Sequence, residues 1–283
     1  MEEKIALVTD SSCDLPEQVI KEYGIHVLPL RVIYPSREYR DVCDITPQEV
    51  YARMSQEVPT TSQPPAGEIR ELLARLKTEG FTKVLAIHIS GGLSGTSDLV
   101  KSVSREFRNL ETRVIDSKSL SMGLGFLVYE AARGVARGLN FQRILENIRA
   151  KQKTVRLFYV LETLEYLRRG GRLGLVAAAL GGMLDLKPII SVNEEGKYFT
   201  FCKVRGRKKS VDKLVEVVDK AIAGKKVVAA VMHGGAPLEG EQLRKRIQGL
   251  SSGNIVELLF GQISPVLGVH TGPGLLGVCF YEA

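Results

Sequence analysis

The run Val84-Leu85-Ala86-Ile87-His88-Ile89, followed at once by Ser90-Gly91-Gly92-Leu93-Ser94-Gly95-Thr96, constrains this chain more than any other stretch. An apolar, β-branched run of strand length that ends in glycines predicts a strand leaving a sheet through a sharp turn. Leu99, Val103 and Phe107 then fall on one helical face. A strand, tight loop and helix in that order is the building unit of a parallel sheet. Ser94 is expected at or near the helix start, where free N–H groups and the positive dipole end favour an anion. The same position suits an ordinary N-cap. The doubled glycine and the Thr96 hydroxyl favour an oxyanion site, and spacing does not separate phosphate from carboxylate.

The rest of the first half repeats this alternation. Strands are expected at Ile5–Thr9, Ile25–Ile33, Val84–Ile89 and Arg113–Asp116. Helices are expected at Pro16–Tyr23, Pro47–Gln56, Gly67–Thr78, Thr96–Arg108, Leu120–Ala136 and Phe141–Ala150. In such a fold the ligand crevice lies at the carboxyl ends of the strands, where the loops from Asp10 and Ser90 begin. The second half reads differently. Val155–Leu161, a hairpin of Pro188–Val192 with Tyr198–Val204, Val227–Met232, Ile255–Phe260 and Leu276–Tyr281 predict a mixed sheet. Helices near Ser210–Ala221 and Gly240–Gly249 accompany it. At 283 residues the chain suits two domains, expected at 1–153 and 154–283.

With 44% apolar and 25% charged residues, the chain has the balance of a globular protein with real cores. Met1-Glu2-Glu3-Lys4 runs straight into a strand, so no signal peptide is expected. The longest apolar stretch, Leu173 to Leu184, is too short and too glycine-rich to span a bilayer. Cys13, Cys43, Cys202 and Cys279 are scattered without CxxC spacing, which predicts reduced thiols, a cytoplasmic location and no structural metal. The net charge of +7 is largely local, in Lys203, Arg205, Arg207, Lys208 and Lys209 and in Arg168, Arg169 and Arg172. Tryptophan is absent and no aromatic residues interleave with these runs, which argues against a nucleic-acid partner. The runs suit a solvated face or a docking patch for an acidic partner.

Thr9-Asp10-Ser11-Ser12-Cys13-Asp14-Leu15-Pro16, Thr61-Ser62-Gln63-Pro64-Pro65 and the Ser90–Thr96 loop resemble signature segments of the bacterial DegV family. The likeness continues through Glu162-Thr163-Leu164-Glu165-Tyr166-Leu167-Arg168-Arg169-Gly170-Gly171-Arg172, Leu186-Lys187-Pro188-Ile189-Ile190 and Gly268-Val269-His270-Thr271-Gly272-Pro273-Gly274. Each segment is weak alone; the ordered set is specific. The resemblance implies an amino-terminal three-layer α/β/α domain with a parallel sheet and a carboxy-terminal α/β domain with a mixed sheet. It implies a long-chain fatty acid such as palmitate, stearate or oleate as ligand, lying in a tunnel with its carboxylate on Ser94, Thr61 and His270. It further implies a non-enzymatic carrier, without cofactor, that presents the acid to a separate ATP-dependent fatty acid kinase for acyl phosphate formation in phospholipid synthesis. Arg172 and Arg205 match arginines of the family pattern, and with Thr96, Gly92 and Gly95 they are candidate head-group or partner contacts.

The residues themselves suit a carboxylate: Ser94 and Thr61 offer hydroxyls and His270 a ring N–H. Each also has a plain structural use, Thr61 in a proline-flanked turn and His270 in ordering the Gly272-Pro273-Gly274 turn. Two other functions compete. A Ser94–His270 pair suggests an acyl hydrolase on lipid-like esters, but Gly92-Leu93-Ser94-Gly95-Thr96 lacks the last glycine of a nucleophile elbow. A lipid-sensing regulator without a kinase partner is the other. No phosphate-binding G-x-x-x-x-G-K-[ST] motif occurs, and Asp10 and Asp14 read as capping residues rather than metal ligands.

Overall fold

The computed structural model describes residues 3–179 and 186–283. The end of the apolar stretch read from Leu173 to Leu184 therefore lies outside the described residues, and its described part holds a 3-10 turn at Gly174–Ala179. In chain order the strands are β1 (Ile5–Asp10), β2 (His26–Leu28), β3 (Arg31–Tyr34), β4 (Arg37–Arg40), β5 (Thr60–Ser62), β6 (Lys83–His88) and β7 (Glu111–Asp116). They continue with β8 (Arg156–Val160), β9 (Ile189–Val192), β10 (Tyr198–Cys202), β11 (Lys226–Gly234), β12 (Asn254–Gln262) and β13 (Leu275–Glu282).

The first sheet is parallel, in the order β2-β1-β6-β7. Successive side chains of a strand point to opposite faces, and these strands are apolar on both. Ala6, Val8, Val84 and Ala86 pack on Ile69, Leu73, Val100 and Val103 from helices Ala66–Thr78 and Thr96–Ser104. Leu7, Leu85 and Ile87 face the other way, with Leu124, Phe126 and Leu127 of helix Met122–Ala136. The amino-terminal layer structure is thus α/β/α.

The second sheet is mixed, in the order β10-β9-β8-β13-β11-β12, with β11 parallel to β12 and antiparallel to β13. Val227, Ala229 and Val231 pack on Leu214 and Val218 of helix Arg207–Ile222 and on Leu243 and Ile247 of helix Pro237–Gln248. The alternate residues Val228, Ala230 and Met232 join the core that also holds Leu7 and Phe126. Helix Met122–Ala136 therefore lies against both sheets, with Phe126 and Tyr281 of β13 in ring contact at 5.0 Å.

One predicted strand, Ile25–Ile33, is two strands in two sheets. Pro29 has no N–H to give a ladder, and the Leu30 N–H turns instead to Ser11 Oγ at 3.0 Å. β3 then leaves the parallel sheet to form a small antiparallel one, ordered β4-β3-β5. β4, β5 and the short helices Glu165–Arg169 and Pro265–Thr271 have no counterpart in the sequence reading.

Candidate functional site

Asp10 sets the position of the Ser94 loop. It ends β1 fully buried, accepts the Ser12 N–H at 3.1 Å, and through Oδ2 accepts the Ile89 N–H at 2.9 Å. The capping role read from sequence is met, and the same carboxylate ties the end of β1 to the end of β6. The loop closes on Ser90, whose carbonyl accepts the N–H groups of Leu93 and Ser94 at 3.0 Å each. Ser90 Oγ donates to Gly196 O at 2.8 Å, so the β9–β10 turn docks on this loop. A Cβ on Gly92 would stand 2.6 Å from Gly196 O, which is why the loop is bare there.

Ser94 does not cap the helix. The helix runs Thr96–Ser104 with Gly95 at its N-cap, and Ser94 Oγ instead shares a hydrogen bond of 2.9 Å with the buried Thr96 Oγ1. Ser94 is left facing a cavity. Thr61 sits on β5, paired with Val32 of β3, rather than in a loop. His270 sits in the last turn of helix Pro265–Thr271, and its Nε2 meets Thr61 Oγ1 at 2.7 Å. It thus bonds across to β5 rather than ordering the turn that follows.

That helix is pinned at its start by two carboxylates, the half-buried Asp14 and the buried Asp41. Asp14 Oδ1 accepts the Ser264 N–H at 2.9 Å and Asp41 Oδ1 the Val266 N–H at 2.8 Å. Burial pushes both carboxyls up to about 7, with Asp10 nearby adding repulsion. His270 is half-buried; loss of water, then the positive charge of Arg172, lowers it to about 4. At neutral pH the ring is uncharged, so it offers a plain hydrogen bond and not the charge assistance of an imidazolium. Among the described residues its Nδ1 has no hydrogen-bond partner, and it packs on Gly170, where a Cβ would collide with it. Arg172 donates to Gly170 O at 2.6 Å.

Thr61, Ser94, Gly95, Arg172 and His270 line one cavity of about 310 Å³, together with Gln63, Leu30, Ile89, Leu93, Tyr198 and Leu267. Arg172, Ser94, Gly92 and Gly95 also line a more open cleft outside it, with Lys197. Arg205 is exposed, bridges the backbone of Leu186, and lines neither. Tyr198 and Leu267 form the inner wall. Beyond them lies an apolar cavity of about 30 Å³ lined by Leu157, Tyr159, Met232, Ile263 and Cys279 among others. Of the apolar residues around the loop and the sheets, Ile89 and Leu93 reach the first cavity and Met122 an outer cleft. Leu124, Phe126, Leu127, Val160, Ile189 and Ile190 are packed core. Tyr198 and Leu267 carried no sequence signal, because only the tertiary structure brings β10 and helix Pro265–Thr271 to the same two cavities. Gln63 lies two residues after Thr61, in the same proline-flanked segment.

A chemically divided pocket results, with neutral donors and one arginine at the mouth and apolar walls behind. Among the described residues no hydrogen bond joins Ser94 to His270, and nothing partners His270 Nδ1 as the acid of a triad would.

The fold and pocket define a class of α/β proteins in which a parallel and a mixed sheet share one core beside a cavity with a polar end and an apolar end. The chain belongs to the DegV family: that family's model, described as "Uncharacterised protein, DegV family", matches residues 4–283. A DegV domain-containing protein of Clostridium acetobutylicum is 44% identical over 280 residues, 99% of each chain. Among solved structures, a DegV family protein from Thermus thermophilus, described by its fatty acid binding, superposes with a TM-score of 0.92 at 31% identity, covering 99% of this chain and 100% of that one. DegV from Bacillus subtilis, described as a fatty acid binding protein, gives 0.90 at 29% identity, covering 99% and 100%. Among the described residues no helix is long and apolar enough to cross a membrane.

Proposed function

We propose that this chain binds one long-chain fatty acid and presents its carboxylate to a separate ATP-dependent kinase, which forms the acyl phosphate. The observation that carries the reading is the convergence of Ser94, Thr61, His270 and Arg172 on one cavity with an apolar cavity directly behind it. Residues 1–153 supply Ser94 and Thr61, residues 154–283 supply His270 and Arg172, and the acid is held between the two units. The fatty acid binding of DegV relatives supports the ligand class. The chain acts as a carrier in the cytoplasm, without a cofactor and without bond-making chemistry of its own.

Energetics divide the labour. Burying one methylene contributes about 0.8 kcal/mol, so a tail of ~14 contributes on the order of 10 kcal/mol. A head-group hydrogen bond adds about 1–3 kcal/mol. The tail therefore sets affinity, and the polar cluster sets which end faces out. Arg172 lies at the mouth, where a guanidinium can match the oxygens of a transferred phosphoryl group. Arg205, on the surface, is better suited to seating the kinase.

The test is organic extraction and native mass spectrometry of the purified protein, followed by incubation with ATP and a bacterial fatty acid kinase. A bound mass of fatty acid size and its conversion to an acyl phosphate are expected. Protein that is empty and ignores added palmitate and oleate overturns the ligand, and ester hydrolysis that depends on Ser94 would favour the hydrolase.

A further inference from the structure

β13, β11 and β12 lie side by side, and their registers place Gly277, Met232 and Gly261 in one transverse row. Met232 shares its sheet face with Val228 and Ala230 and is 3% exposed. Gly277 lines the small apolar cavity behind Tyr198, and Gly261 lines a larger cleft of about 740 Å³ that also holds the exposed Val42 and Phe260. Met232 lines both, as does Ile263. The glycines add nothing to the partition, so Met232 is the one side chain in the row that separates cavity from cleft. A Cβ on Gly261 would stand 3.1 Å from Met232 Cε, so the end of the thioether rests on bare backbone.

We propose that Met232 is the end wall that sets the longest acyl chain this protein retains. The inference rests on the fatty-acid reading above and adds to it a residue that determines specificity. A methylene that stops short of Met232 is buried among Leu157, Tyr159 and Cys279. One that passes it enters the cleft, which reaches the exposed Phe260 and Val42 and shields it from water only in part. Methionine suits such a wall: unbranched and polarisable, it closes on a short chain and yields a little to a longer one.

The experiment loads delipidated protein with an equimolar series of saturated acids, from dodecanoate to docosanoate, and reads the retained masses by native mass spectrometry. Wild type shows an upper length limit. Met232→Ala removes Cγ, Sδ and Cε and raises that limit by about two carbons, because the vacated space joins cavity to cleft. Gly261→Ala presses Met232 Cε back towards the cavity and reduces retention of the longest wild-type acid about ten-fold relative to dodecanoate. The two variants push in opposite directions, so Gly261→Ala alone decides the matter if Met232→Ala fails to fold. Length profiles identical to wild type overturn the assignment. Wild-type protein that retains no acid of any length overturns the fatty-acid reading itself, and that outcome is separate from a wall at some other residue.

Discussion

Ser94 is the residue at which affinity and kinase chemistry are expected to part. Its hydroxyl, bonded to Thr96 Oγ1 at 2.9 Å, faces the cavity beside Thr61 and Arg172. Removing it takes one hydrogen bond of about 1–3 kcal/mol from the head group and leaves the tail's burial intact. Ser94→Ala is therefore expected to keep bound fatty acid through purification, while acyl phosphate formation by the kinase falls by at least about ten-fold as the carboxylate loses its orientation. Comparing bound lipid with initial phosphorylation rates checks this. Loss of lipid from a folded variant would mean that the head group, not the tail, dominates binding.

At the scale of elements, helix Pro265–Thr271 is the part whose position matters most, since it carries His270 and is only seven residues long. So short a helix does not hold itself. Asp14 and Asp41 accept the backbone N–H groups of Ser264 and Val266, and the cost is two poorly hydrated carboxyls pushed up to about 7. A carboxyl whose folded-state pKa is raised contributes stability below its unfolded value, which is lost as pH rises through the folded one. Asp41→Asn retains an acceptor for Val266 but cannot ionise. Thermal melts of the delipidated proteins are expected to match near pH 4 and to favour the variant by about 1–3 kcal/mol near pH 8. A difference that does not change between these pH values would show that Asp41 ionises normally in the fold.

For the whole molecule, the parallel and mixed sheets meet across one core, and the Ser94 cavity is lined from both halves of the chain. The Ser94 loop hangs from the parallel sheet and touches the β9–β10 turn through the bond from Ser90 Oγ to Gly196 O. A ligand lodged at that junction ties together parts distant in sequence and stabilises the folded state by mass action. Delipidation should therefore lower the melting temperature by several degrees, and palmitate or oleate should restore it, because ~3 kcal/mol of ligand stabilisation at a hundred-fold excess over Kd corresponds to such a shift. A melt insensitive to added acid would place the ligand elsewhere or exclude it.

The sequence by itself determined what depends on local pattern. Alternation of apolar, β-branched runs with amphipathic segments specified the parallel sheet, and the glycine loop after β6 followed from residues that lie next to one another. The ordered segments around Asp10, Thr61, Ser94, Arg172 and His270 specified the DegV family. What only the tertiary structure decided is where one piece meets another. Thr61, too short a signal to read as a strand, gains its place by pairing with Val32, and Pro29 splits one predicted strand between two sheets. His270 lies 209 residues from Thr61 yet bonds to it at 2.7 Å, and its neutral state comes from burial and from Arg172. Tyr198, Leu267 and Met232 become cavity walls only because strands and a helix far apart in the chain are packed together. Periodicity records which face of an element is apolar; it carries no record of which other element that face will meet.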